Sequence, residues 1–164
     1  MKKVVKFGGS SLASAEQFKK VGDIIRADKS RRYVVPSAPG KRSSSDTKVT
    51  DMLYSCYNLA IREKKFTSLL DEIHARYNEI IDGLNLELSL DHEFDMIREN
   101  FGKKIGRDYA ASRGEYLNGI IMANYLGFCF IDAAEVIRFH EDGSLDDEKT
   151  NELLSLRLEG EEFA

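Results

Sequence analysis

Three short stretches hold the residues that could do chemistry. The first is Lys6-Phe7-Gly8-Gly9-Ser10-Ser11, where an apolar, β-branched run stops at two glycines and two serines stand where a helix could begin. Glycines let a ligand come close to the backbone, the N–H groups and dipole of a helix start favour an anion, and Lys6 adds a mobile positive charge. An ordinary strand-to-helix turn accounts for the same residues, and their spacing matches neither the Walker A loop nor the dinucleotide fingerprint. The second stretch is Ser37-Ala38-Pro39-Gly40, followed after a polar run by Thr50-Asp51. Thr50 reads as a helix N-cap or a ligand contact, and the sequence favours the cap. The third is Ser112-Arg113-Gly114-Glu115, with the carboxylate just ahead of an apolar face. An acid in the first turn of a helix is favoured by the dipole by about 0.3–1 kcal/mol, which would explain Glu115 without a ligand.

These stretches need elements to hold them. Phe18, Val21, Ile24 and Ile25 recur at helical spacing over about 13–28, and Arg32-Tyr33-Val34-Val35 reads as a second strand ended by Pro36. Strand, helix and strand make a right-handed βαβ unit with parallel strands, whose ligands lie beyond the strands' carboxyl ends. Gly8-Gly9 and Pro36-Ser37 both fall there. Residues 37–48 have no apolar period and predict a long loop, either covering a substrate or linking domains. Helices are expected from Thr50 through Ala60, from Phe66 to a stop at Gly83, and through Phe94, Ile97 and Phe101 to Gly102. These three should pack together as scaffold, with no chemistry at His74 or His92.

A further helix is expected between Gly106 and Gly127, with Glu115 in its first turn. A third parallel strand follows at Phe128-Cys129-Phe130-Ile131, then a short strand over 134–139 before the Asp142-Gly143 turn. A last helix over 147–158 leads to a frayed tail at 159–162.

Composition excludes several classes. A chain of 164 residues is long enough for one sizeable core and too short for two full domains. Its net charge of −4 and scattered basic doublets argue against nucleic acid as a partner. No apolar run reaches the roughly 18 residues of a membrane span, and the start lacks a signal peptide's apolar core, so the expected location is the cytoplasm. Cys56 and Cys129 predict reduced thiols, and the three histidines show no metal-ligand spacing.

Taken together, in this order and at these separations, the three stretches and Phe130-Ile131-Asp132-Ala133 resemble the aspartate kinases of the amino acid kinase superfamily. The resemblance runs along essentially the whole chain, and Lys-Phe-Gly-Gly-Ser-Ser is its most specific part. It implies an α/β fold, a three-layer αβα arrangement around a mainly parallel sheet of the carbamate kinase type. It also implies transfer of the γ-phosphoryl group of ATP to the side-chain carboxylate of L-aspartate, the entry to lysine, threonine and methionine synthesis. By the same likeness Lys6 is catalytic, stabilising charge on the transferring phosphate, while Phe7, Gly8, Gly9 and Ser10 cradle phosphate oxygens. Ser37 and Thr50 would touch the aspartate, and Glu115 would bind its α-ammonium group. Mg2+ would arrive with ATP, with no protein metal ligand in this chain.

Aspartate kinases continue well beyond this length, so residues 1–164 correspond to the amino-terminal, amino-acid-substrate lobe, with the nucleotide lobe and the ACT regulatory domains absent. The lobe alone is expected to be inactive, the full-length enzyme a homo-oligomer, and the incomplete sheet to leave an open edge and uncovered apolar faces. Two further readings stand beside this one: a kinase for another small carboxylate or a carbamate, and a non-catalytic interaction module that kept the phosphate loop.

Overall fold

Val5 and Phe7 point to one side of a short strand and Val4 and Lys6 to the other, an alternation that decides how the first element packs. The computed structural model describes all of residues 1–164. Strand β1 (Lys3–Phe7) pairs in parallel with β2 (Arg31–Pro36), Val5 opposite Val34 and Phe7 opposite Pro36. Helix α1 (Ala15–Arg26) makes the crossover, so the βαβ unit is present as the sequence predicts. Val5, Phe7 and Val34 pack against the core, whereas Val4 and Val35 on the opposite face remain 67% and 51% exposed.

The remaining helices are α2 (Val49–Ile61), α3 (Thr67–Gly83), α4 (Asp91–Gly102), α5 (Arg107–Leu126), the single turn α6 (Ala133–Val136) and α7 (Asp147–Arg157). Helix α2 packs against α3, α4 and α5, and α3 against α4. Their shared core is built on fully buried Leu53, Leu70, Ile73, Tyr77, Phe94, Ile97, Phe101, Leu117 and Ile121. The three central helices thus form the expected scaffold, joined by α5.

Several boundaries differ from the sequence reading, each for a local reason. No long helix starts at Ser10-Ser11: Gly9–Leu12 is a 3-10 turn, and α1 begins after Ser14, whose hydroxyl accepts from the Gln17 amide at 3.4 Å. Lys48 occupies the N-cap of α2, which puts Thr50 inside the first turn instead of capping it. Helix α5 starts at Arg107, because Gly106 takes a φ of +141° that side chains rarely tolerate. Glu115 therefore lies in the third turn. The dipole effect fades beyond the first turn, so it does not account for this carboxylate.

The expected third strand, 128–131, is not one. Beside β2 runs the chain's last segment: the Val34 amide donates to Ala164 O at 2.8 Å, and the Ala164 amide to Arg32 O at 2.9 Å. Residues 128–131 lie one place further out, joined to that segment by a single backbone bond from the Cys129 amide to Phe163 O, too little for a ladder, and held otherwise by the Arg157 side chain at Phe130 O. The same backbone bonds, with an Arg32–Glu162 ion pair at 3.2 Å, tie down a tail expected to fray. Over 134–139 the expected strand is replaced by α6, capped by Asp132 through the Ala134 amide. Only Phe139 pairs, with Leu145 across the Asp142-Gly143 turn.

Candidate functional site

At the carboxyl ends of β1 and β2 the chain turns twice, and the two turns are bonded to each other. The Ser37 amide donates to Phe7 O at 3.0 Å, extending the parallel ladder by one rung, and the Gly40 amide donates to Gly9 O at 2.8 Å. The backbones cross so closely that a Cβ on Gly40 would lie 2.6 Å from the Gly9 carbonyl carbon, and one on Gly9 2.8 Å from Ala38 O. Around Gly8 the space where a Cβ would stand is open, with nothing within 4 Å. The two adjacent glycines therefore serve different ends: Gly9 lets loop meet loop, and Gly8 leaves a bare stretch of backbone facing open space.

Helix α5 closes the arrangement. Gly114 lets it approach: a Cβ there would sit 2.7 Å from the Ala38 methyl and 3.8 Å from the Thr50 hydroxyl. One residue on, an oxygen of Glu115 accepts from the Ala38 amide at 3.4 Å. One turn further, the fully buried Asn118 donates from its amide to Ser37 O at 2.7 Å, while its own side-chain oxygen has no partner. From below, the buried Tyr77 hydroxyl donates to Gly114 O at 2.8 Å. Burial, with the Glu115 charge adding to it, pushes the Tyr77 phenol well above its usual range, so it stays protonated and a donor.

The structure thus brings Phe7, Gly8, Gly9, Ser37, Thr50 and Glu115 into one hydrogen-bonded and packed unit. Ser10 stands beside them, its amide nitrogen 2.7 Å from where a Gly40 Cβ would be. Lys6 lies at the end of β1 opposite Val35 and is exposed. Unlike Lys3, which pairs with Asp28 at 2.7 Å, it has no carboxylate partner. Glu115 is exposed too, so its charge is available to a ligand and not spent on a buried ion pair.

Sequence reasoning placed Gly40 and Gly114 in the second and third stretches without giving either a role, and missed Asn118, Tyr77 and Arg76 as parts of this unit. Asn118 and Arg76 left a signal: each is a polar residue inside an apolar stripe, Asn118 between Leu117 and Ile121, Arg76 between Ile73 and Tyr77. A buried polar side chain needs a partner, and both partners are loop carbonyls. A hollow of about 570 Å³ opens between α2, α3 and the 42–47 loop, lined by Arg42, Asp46, Arg76 and Glu79 among others. Those charges are paired with one another, and none of the sequence-predicted residues lines it. No group of three His, Cys, Asp or Glu side chains is gathered to hold a metal ion, and no helix is long and apolar enough to cross a membrane.

Comparison with known proteins agrees with this architecture. The family model described as "Amino acid kinase family" matches residues 1–161. Aspartokinase 3 of Bacillus subtilis is 46% identical over 88 residues, 54% of this chain and 19% of that protein. The chloroplastic aspartokinase 1 of Arabidopsis thaliana is 31% identical over 158 residues, 90% of this chain and 27% of that one. The crystal structure of Clostridium acetobutylicum aspartate kinase superposes with a TM-score of 0.95 at 45% identity, covering 100% of this chain and 38% of that one. Escherichia coli aspartokinase III, solved with aspartate and ADP, shares the fold at a TM-score of 0.72 and 21% identity. The chain spans between a fifth and two fifths of the length of these relatives.

Proposed function

This chain belongs to the amino acid kinase family, and from that premise we propose that residues 1–164 form the amino-acid-substrate side of an aspartate kinase. The observation that carries the proposal is the continuous link Phe7–Ser37, Gly9–Gly40 and Ala38–Glu115, which joins a bare glycine turn to an exposed, unpaired carboxylate. A phosphate and an ammonium group need those two features, set side by side.

In this reading ATP binds with its γ-phosphate at the Lys6–Ser10 turn, and L-aspartate lies between that turn and Glu115. The substrate's side-chain carboxylate, with a pKa of about 4, is ionised at neutral pH and needs no general base. One of its oxygens attacks the γ-phosphorus, the bond to the bridging oxygen breaks, and ADP leaves with that electron pair. Two anions must approach in line, so the work is positioning and charge control. The Lys6 ammonium and the amides of the turn face the growing charge, Ser37 and Thr50 orient the aspartate, and Glu115 takes its α-ammonium group. A Mg2+ ion would add positive charge at the phosphates. The ion would be carried by the nucleotide's phosphates. The corresponding setting is a cytoplasmic enzyme of lysine, threonine and methionine synthesis, a homo-oligomer when complete.

Calorimetric titration tests this. L-Aspartate should bind and Glu115→Gln should weaken it about 10–150-fold, the value of one charge-assisted hydrogen bond of about 1.5–3 kcal/mol. Because Glu115 is exposed and its bond to Ala38 is long, the same change should leave stability within about 0.5 kcal/mol. Equal aspartate affinity in the two proteins would remove Glu115 from the site.

A further inference from the structure

Helix α3 belongs to the scaffold, yet one of its side chains reaches out of it. The Arg76 guanidinium is only 6% exposed, and its polar contacts leave the helix altogether. Nη2 donates to Gly40 O at 2.7 Å, Nη1 to Thr47 O at 2.5 Å, and the group pairs with Asp46 at 3.3 Å. A weaker contact reaches the Met52 sulfur at 3.7 Å. Gly40 and Thr47 are the two feet of the loop that runs between the glycine crossing and α2, and a bond from the Val49 amide to Pro39 O at 3.2 Å closes it. The exposed tip is fastened by Arg42, which donates to the same Asp46 at 3.0 Å and to Glu79 of α3 at 2.8 Å.

We propose that Arg76 is a positioning residue: by gripping Gly40 and Thr47 it fixes the substrate loop and, through the Gly40–Gly9 bond, the glycine turn, so that both loops of the site move as one body. The peptide of Gly40 is the relay. Its carbonyl takes the Arg76 bond, and its amide donates to Gly9 O at 2.8 Å. There is no slack at that crossing, because a Cβ on Gly40 would fall 2.7 Å from the Ser10 nitrogen. A buried arginine that only stabilised the helix bundle would bond to other helices. This one spends its two short hydrogen bonds and its ion pair on the loop, with only the weak Met52 contact going to another helix, and its planar fork spans two carbonyls that a lysine ammonium cannot hold together. The mechanical claim is independent of what binds; its consequence for affinity rests on the aspartate kinase reading.

The test is hydrogen exchange of the protein carrying Arg76→Lys, with Arg42→Ala as a control for the loop tip. Exchange should quicken by about tenfold or more at 40–47 and also at 8–12, with α4 and α5 unchanged, as expected for neighbours coupled through one network. Arg42→Ala should quicken 42–46 alone. Quickening confined to 40–47, or spread evenly over every helix, would overturn the proposal. If Arg76→Lys does not fold, exchange of the unmodified protein in low urea decides: amides of Gly40 and Ser11 opening with one free energy and one urea dependence support it, and separate openings refute it. Joint loosening without any aspartate binding by the unmodified protein would support the positioning role while refuting the kinase reading.

Discussion

Replacing each of two neighbouring glycines by alanine separates packing from binding. Gly8 has φ −78° and ψ 165°, an extended backbone that alanine adopts freely, and nothing stands within 4 Å of the new methyl. Removing a glycine's freedom in the unfolded chain should then stabilise the protein by about 0.4–1 kcal/mol. At Gly9 the methyl would meet the Ala38 carbonyl oxygen at 2.8 Å and the Gly40 nitrogen at 3.1 Å. These are backbone atoms of a loop held by Arg76, so the clash has no flexible side chain to absorb it, and overpacking of this kind costs about 1–3 kcal/mol. Thermal melts should place the two variants on opposite sides of the unmodified protein, with about 2–4 °C for each kcal/mol in a chain this size. Titration with ATP should invert the order of tolerance. Gly8→Ala, the stable variant, should lose about tenfold or more in affinity, because its methyl fills the space assigned to a phosphate oxygen. Full ATP affinity in Gly8→Ala would refute the assignment of the turn, and an unchanged melting point in Gly9→Ala would refute the packing argument.

Other outcomes follow from buried groups. Tyr77→Phe removes the 2.8 Å bond to Gly114 O, whose carbonyl keeps its place in the ladder of α5, and should cost about 0.5–1.5 kcal/mol in urea unfolding while aspartate affinity moves little. Burial pushes the Cys56 thiol up to about 12, so at pH 8 an alkylating agent should modify the half-buried Cys129 first and reach Cys56 only on unfolding. A raised folded-state pKa contributes stability that is complete below the unfolded value of about 9 and is lost as pH rises from there toward 12. Cys56→Ala should therefore flatten the alkaline limb of a stability-against-pH profile. The Asp46 carboxylate is held well below the usual range, chiefly by hydrogen bonds from Arg42, so its contribution is present above about pH 4 and lost on acidification. The protection of amides at 40–47, once the intrinsic pH dependence of exchange is divided out, should fall below that pH.

The sequence shows how these predictions became possible and where it stops. The βαβ unit was legible because an apolar, β-branched run stops at Gly8-Gly9, Phe18, Val21, Ile24 and Ile25 recur at helical spacing, and Pro36 ends the run from Arg32 to Val35. The helices of the scaffold were legible from their 3.6-residue stripes. The position of Glu115 was not: Ser112 to Gly114 looks like a helix start, and only Gly106, with its positive φ, shows that α5 has already made two turns. Phe128–Ile131 has a strand's composition, but a strand is defined by its partners, and here the neighbouring place belongs to Phe163 and Ala164. Gly40 could not be ranked above other loop glycines, because its importance lies in a backbone 31 positions earlier in the chain, at Gly9.

The central claim is that the crossed loops and α5 form one aspartate site. The most direct measurement is a backbone amide NMR titration of the protein with L-aspartate. The account predicts saturable shifts clustered at Gly8, Gly9, Ser37, Ala38, Thr50 and Glu115, abolished at the same concentrations in Glu115→Gln. Shifts clustered instead at the hollow beside Arg42 and Glu79, or none at saturating aspartate, would contradict it.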